Sequence, residues 1–154
     1  MSQGFSLYSE LSVRQNLELH GRLYRLSSSR IAERVTELVE RFGLERHMAS
    51  RARDLPLGIR QRLSLAVALI HDPELLILDE PSLGLSPLLV EEMFALIQSL
   101  NRQGLAIFLV EQNVMQSLEI ADRAYVMENG SIVLSGKAAE LIDDPDLKKS
   151  YLGL

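Results

Sequence analysis

Residues 75–87 read LLILDEPSLGLSP: four aliphatic residues run into two adjacent acids, then a proline and small residues. A continuous apolar run of this length is the pattern of a parallel strand buried on both faces. Such a strand, ending in Asp79-Glu80, delivers two carboxylates to the carboxyl edge of a sheet, where open α/β sheets bind their ligands. In phosphoryl chemistry the first acid can hold Mg²⁺, usually through water, and the second can orient or deprotonate an attacking water. A bare acidic pair could equally cap the next turn, so its meaning depends on what surrounds it.

Downstream, Ser86 followed by Pro87 starts a helix whose stripe is Val90, Met93, Phe94, Ile97 and Leu100, and Gly104 stops it. A second apolar run, LAIFLV at 105–110, completes a strand–helix–strand unit with parallel strands. Beyond it, AYVMENGSIVLSG places Asn129-Gly130 between alternating apolar residues, a hairpin signal. Short helices are expected at 138–142 and 146–151. Upstream the pattern is helical. Ser12 and Gln15 form a capping box opening a helix through about Tyr24. The serines at 27–29 cap a second helix with Ile31, Val35, Leu38, Val39 and Phe42 on one stripe, ended by Gly43. A third spans about 58–70, and Asp72-Pro73 breaks it.

Apolar residues make up 47% of the 154, enough for a sizeable core, and the near absence of aromatics (5%) makes that core aliphatic. No cysteine is present, which excludes disulfides and thiolate metal sites. No apolar stretch approaches the ~18 residues of a membrane span, and no basic-then-apolar leader follows Met1, so a soluble protein is expected. The net charge of −5 falls entirely within residues 81–154, because 1–80 carry 11 arginines and 11 acids. No basic stripe marks a nucleic-acid partner. His20, His47 and His71 are scattered, and surface or loop roles are expected for them.

Just before the opening stretch stands LPLGIRQRLSLAVALIHDPE. Together the two resemble the ATP-binding-cassette (ABC) ATPases, in which a signature of the form LSGGQ-x-Q-R opens a helix shortly before the Walker B strand. Residues 55–62 align with that signature and Leu75–Glu80 with Walker B. Gln3 sits where the family keeps its Q-loop glutamine, PSLGLSP at 81–87 matches the D-loop region, and FLVEQN at 108–113 falls where the family has its switch residue. Residues 1–81 look like ATPases of export-type transporters. Residues 80–154 look like the ATPase of branched-chain amino-acid importers. The seam lies where the charge balance shifts, which favours a mosaic over the alternative, a single divergent lineage.

The resemblance implies an α/β fold: a partial P-loop NTPase (RecA-like) core with parallel strands over 71–154, plus an ABC-type helical subdomain over 1–70. It implies ATP and Mg²⁺ as cofactors, with Asp79 and Gln3 at the metal and Glu80 activating water. Gln112 would take the place of the switch histidine. An amide can hydrogen-bond a γ-phosphate but relays no proton at neutral pH, which favours Glu80 as the base. Pro56, Leu57, Gly58 and Ile59, with Ser86 of the D-loop, would meet nucleotide held by a second ATPase subunit. A membrane-spanning permease would be the other partner, holding the protein at the cytoplasmic face of the inner membrane.

Several positions depart from the family pattern. Pro56 replaces the signature serine, Leu57 the first glycine and Ile59 the glutamine, while Gly58 is retained. The helix N-terminus can still offer backbone N–H groups and its dipole. Ser86 replaces the D-loop aspartate and has an N-cap role available to it. The phosphate loop, G-x-x-x-x-G-K-[ST], has no match. Gly136-Lys137 is the one Gly-Lys pair, with one residue too many after Gly130 and Ala138 where a hydroxyl belongs. The family places that loop before the Q-loop glutamine, so the chain is expected to be a fragment, inactive alone, with a gap in its sheet beside residues 105–110. Unpaired edges there predict a strand-swapped oligomer or a rearranged sheet. The alternative is a non-catalytic ABC-like dimerisation or docking module.

Overall fold

Ser12 opens the first helix, α1 (Val13–Leu23), as its local chemistry requires: its Oγ accepts from the Gln15 amide at 3.2 Å, and Gln15 Oε1 accepts from the Ser12 amide at 2.9 Å. The computed structural model describes residues 7–148. Helix α2 (Ser28–Arg41) begins at Ser27, whose hydroxyl accepts from the Arg30 amide, and ends before Gly43, at φ +63°. Its expected stripe of Ile31, Val35, Leu38, Val39 and Phe42 is buried throughout. Helix α3 spans Leu57–Ala68. Two 3₁₀ turns, Glu45–His47 and Ala52–Asp54, fill the α2–α3 connection and have no periodic signature in the sequence.

The chain divides into two compact units, Met1–Leu76 and Ile77–Leu154, with the boundary inside a strand. In the first unit α1 packs on α2 and α3. Gly21 of α1 is there for clearance, since a Cβ would lie 2.8 Å from Ile31 Cγ1. Three polar side chains, Asn16, His20 and Arg34, are buried among the described residues of this helical unit. Asn16 fastens the segment leading into α1: its Oδ1 accepts from the Tyr8 amide at 2.8 Å, and its amide donates to the Tyr8, Leu11 and Ser12 carbonyls. Arg34 reaches from α2 to the far end of α3, donating to the Leu69 carbonyl at 2.6 Å and the Ile70 carbonyl at 3.4 Å. Those are carbonyls that a helix C-terminus leaves without intrahelical partners.

The histidines correct the sequence reading in part. His20 is buried, with Nδ1 2.8 Å from the Asn16 carbonyl. His71 stacks on Tyr24 at 3.8 Å.

The second unit holds most of a strand–helix–strand segment, β1 (Leu75–Asp79), α4 (Pro87–Arg102) and β2 (Ala106–Val110), with β1 and β2 paired and parallel. Met93, Phe94, Ile97 and Leu100 of α4 are buried, while Val90 is only half-buried. The strands themselves depart from expectation. Along β1, Leu76 and Leu78 are buried while Leu75 and Ile77 are more than half exposed; β2 likewise exposes Phe108 and Val110. One face of this pair has nothing packed over it among the described residues.

Helix α5 (Val114–Ile120), absent from the sequence reading, follows β2 with Asn113 as its cap. The hairpin is as read: β3 (Arg123–Glu128) and β4 (Ser131–Lys137) pair antiparallel around Asn129-Gly130, both at positive φ. Among the described residues they form a sheet separate from β1–β2. Leu118 of α5 packs with Ala138 and Leu141 of α6 (Ala138–Leu141) and Leu147 of α7 (Pro145–Leu147). The rest of the helix expected over 146–151 extends beyond the described residues.

Candidate functional site

At the end of β1 the backbone makes a sharp turn. The Glu80 amide donates to the Val110 carbonyl at 2.8 Å, extending the pairing one residue past the strand. Glu80 then takes φ +48°, a left-handed conformation uncommon for any residue with a side chain. Turn bonds follow from the Leu83 amide to the Glu80 carbonyl (3.1 Å) and from the Leu85 amide to the Ser82 carbonyl (3.1 Å), with Gly84 at φ +77°. Ser86 is extended and directly precedes α4, but its side chain makes no capping hydrogen bond, so its expected N-cap role is met by backbone geometry alone.

The residues after β2 face this turn. Gln112 Nε2 donates to Glu80 Oε1 at 2.5 Å, joining two residues singled out from sequence that are 32 positions apart. Glu111, which sequence reasoning passed over, lies between them: Oε1 accepts from the Ser82 amide at 2.8 Å and Oε2 from its neighbour's, Gln112, at 3.2 Å. Its signal was available, as an acid ending an apolar strand just as Asp79-Glu80 do. Glu80, Ser82, Leu83, Gly84, Glu111, Gln112 and Asn113 line an open hollow of about 340 Å³. Asp79, the last residue of β1, is exposed. No cluster of three or more His, Cys, Asp or Glu side chains among the described residues could hold a metal by itself. A cation here would need oxygens from a ligand or water beside Asp79.

The remaining candidates belong to the first unit. Pro56 takes the N-cap position of α3 with no side-chain capping bond, Leu57 is 42% exposed, Gly58 is buried and Ile59 half-buried. The first turn of a helix directs backbone N–H groups outward without intrahelical partners. Arg60 holds the loop ahead of it, donating to the Arg53 and Leu55 carbonyls at 3.2 and 3.1 Å. Gln3 lies outside the described residues. Gly136-Lys137, rejected as a phosphate loop, ends strand β4, with Gly136 opposite Ala124.

An acidic pair ending a strand and bonded to a glutamine after the next strand belongs to a mixed α/β nucleotide-binding fold. The chain is a member of the ABC transporter family, whose family model matches residues 1–83. It is 39% identical to the high-affinity branched-chain amino acid transport ATP-binding protein BraG of Pseudomonas aeruginosa, over 98% of this chain and 64% of BraG. It is 37% identical to the probable multidrug ABC transporter ATP-binding protein YbhF of Escherichia coli, over 100% of this chain and 28% of YbhF. Both flavours of relative are therefore present, and each aligns along essentially the whole chain. Among solved structures, cbiO1 from Clostridium perfringens, part of the ABC transporter complex cbiONQ, superposes with a TM-score of 0.81 at 25% identity. That match covers 96% of this chain and 61% of cbiO1. The chain spans less than two thirds of BraG and of cbiO1.

Proposed function

We propose that these residues are the Walker B, D-loop and switch part, with the signature helix, of an ATPase subunit that couples ATP hydrolysis to solute transport. The observation that carries the reading is the contact between Glu80 and Gln112, which sets a carboxylate and an amide side by side at the carboxyl ends of two parallel strands. There Glu80 would hold the attacking water and Gln112 would report the γ-phosphate by hydrogen bonding. Asp79 would hold Mg²⁺, a hard cation suited to carboxylate, water and phosphate oxygens. The metal, when bound, neutralises charge on the phosphates.

Because positioning the triphosphate supplies most of the catalysis in phosphoryl transfer, and these residues include no phosphate loop, the chain on its own would hydrolyse no ATP. The partners proposed are a second ATPase subunit, met by residues 55–60, and a permease that holds the protein at the membrane. Among the described residues no helix is long and apolar enough to cross a membrane. The exposed face of β1–β2 supports association of the isolated chain with further copies.

The test is a fusion of this chain behind the part of BraG that it does not match, which would restore a phosphate loop. The fusion should hydrolyse Mg-ATP, and Glu80→Gln should abolish turnover while leaving nucleotide binding intact. Full activity in the Glu80→Gln fusion would refute the assignment.

A further inference from the structure

We propose that Glu111 is a positioning residue, the clamp that holds the Glu80 carboxylate against Gln112; this rests on the reading of Glu80 given above. Two backbone N–H groups converge on its side chain. The Ser82 amide lies 2.8 Å from Oε1, and the Gln112 amide lies 3.2 Å from Oε2. The first belongs to the turn that carries Glu80, the second to the segment that presents the glutamine bonded to it. One side chain therefore fixes both halves of the Glu80–Gln112 contact.

The chemistry explains why a glutamate suits the place. A carboxylate offers two acceptor oxygens, so it satisfies both amides at once, and hydrogen bonds to an ionised acceptor are the stronger kind. The two amides approach opposite oxygens, so a glutamine in the same place turns its NH2 toward one of them and serves only the other. The turn needs an outside hold because Glu80 sits at φ +48°, a conformation that persists where the surroundings over-determine it. The Glu80 amide is held by the Val110 carbonyl on one side, and the Ser82 amide by Glu111 on the other.

The experiment uses the 154-residue chain, ¹⁵N-labelled, with amide exchange and side-chain amide signals read by NMR. In Glu111→Ala the Ser82 amide should exchange on the order of tenfold faster or more, the loss of one charge-assisted hydrogen bond. The Gln112 side-chain amide should move to the position of a solvated glutamine. Glu111→Gln should restore slow exchange at one of the two amides and not at both, a partial rescue that simple loss of packing would not give. Wild-type exchange at Ser82 and an unmoved Gln112 signal in Glu111→Ala would overturn the proposal. If the alanine variant does not fold, the glutamine variant decides: both amides protected as in wild type overturns it, and one released supports it. None of these signals depends on ATP. In the BraG fusion, Glu111→Gln should lower kcat with KM for Mg-ATP unchanged. A wild-type fusion that hydrolyses nothing defeats the hydrolytic reading while the amide signals still judge the clamp.

Discussion

Arg34→Met removes a buried guanidinium from the helical unit and keeps the length of its apolar stem. The side chain of Arg34 is 7% exposed, and its two inward bonds go to the Leu69 and Ile70 carbonyls at the C-terminal end of α3. Its other partners are more open: Glu37 at 2.6 Å is 50% exposed, and Asp72 at 3.7 Å is 72% exposed. Ion pairs to such exposed partners contribute little in water, so the carbonyl bonds dominate the estimate. Losing hydrogen bonds from a charged donor costs about 2–4 kcal/mol, felt most at the Ile70 carbonyl because Leu69 keeps the Asp72 amide at 3.0 Å, and no longer desolvating the guanidinium returns part of that. The net expectation is a loss of about 2 kcal/mol. Arg34→Lys should fall between, because a single ammonium retains the charge at the helix C-terminus but bridges two carbonyls poorly. Urea unfolding followed by far-UV circular dichroism measures the loss, and hydrogen exchange across residues 57–70 locates it. A Met variant within about 0.5 kcal/mol of wild type, with unchanged protection at 57–70, would refute the claim that Arg34 caps α3.

Burial lowers the His71 pKa from 6.5, the Arg34 charge lowers it further and Asp72 opposes both, so the unfolded chain takes up a proton before the folded one does. The stability contributed by neutral His71 is therefore complete above about pH 6.5 and is lost as pH falls through the lower folded value; His71→Phe, which keeps a ring against Tyr24, should flatten that slope in acid unfolding curves. Gly21→Ala should destabilise the first unit by about 1 kcal/mol by thermal unfolding, since overlap with Ile31 at 2.8 Å outweighs the gain in helix propensity. A more stable alanine variant would show that α1 and α2 separate freely. Glu80→Gly should raise stability by up to about 1 kcal/mol in denaturant titrations, because glycine accepts φ +48° without strain. A drop of that size would show that Glu80 is not strained where it stands.

What could be read from sequence was governed by local chemistry. The Ser12–Gln15 capping box and the Asn129-Gly130 hairpin form as read, because each is decided by a handful of adjacent residues. The buried stripe of α2 follows from helical periodicity alone. Helix α5 escaped notice because seven residues are too few to show a period. The apolar runs at 75–78 and 105–110 were correctly read as strands, but burial on both faces is a property of the whole sheet and not of the strand. Glu80 and Gln112 were each marked in the sequence, but their contact depends on a 32-residue excursion through α4 and β2. Arg34 and Asn16 carry no motif, since what makes them matter is where distant carbonyls and amides end up.

The central proposal is that the carboxylates ending β1 serve a triphosphate, although these 154 residues carry no G-x-x-x-x-G-K-[ST] loop to cradle it. Calorimetric titration of the chain with Mg-ATP tests it most directly. The account predicts no saturable heat at micromolar nucleotide; saturable micromolar binding of Mg-ATP by the chain would contradict it.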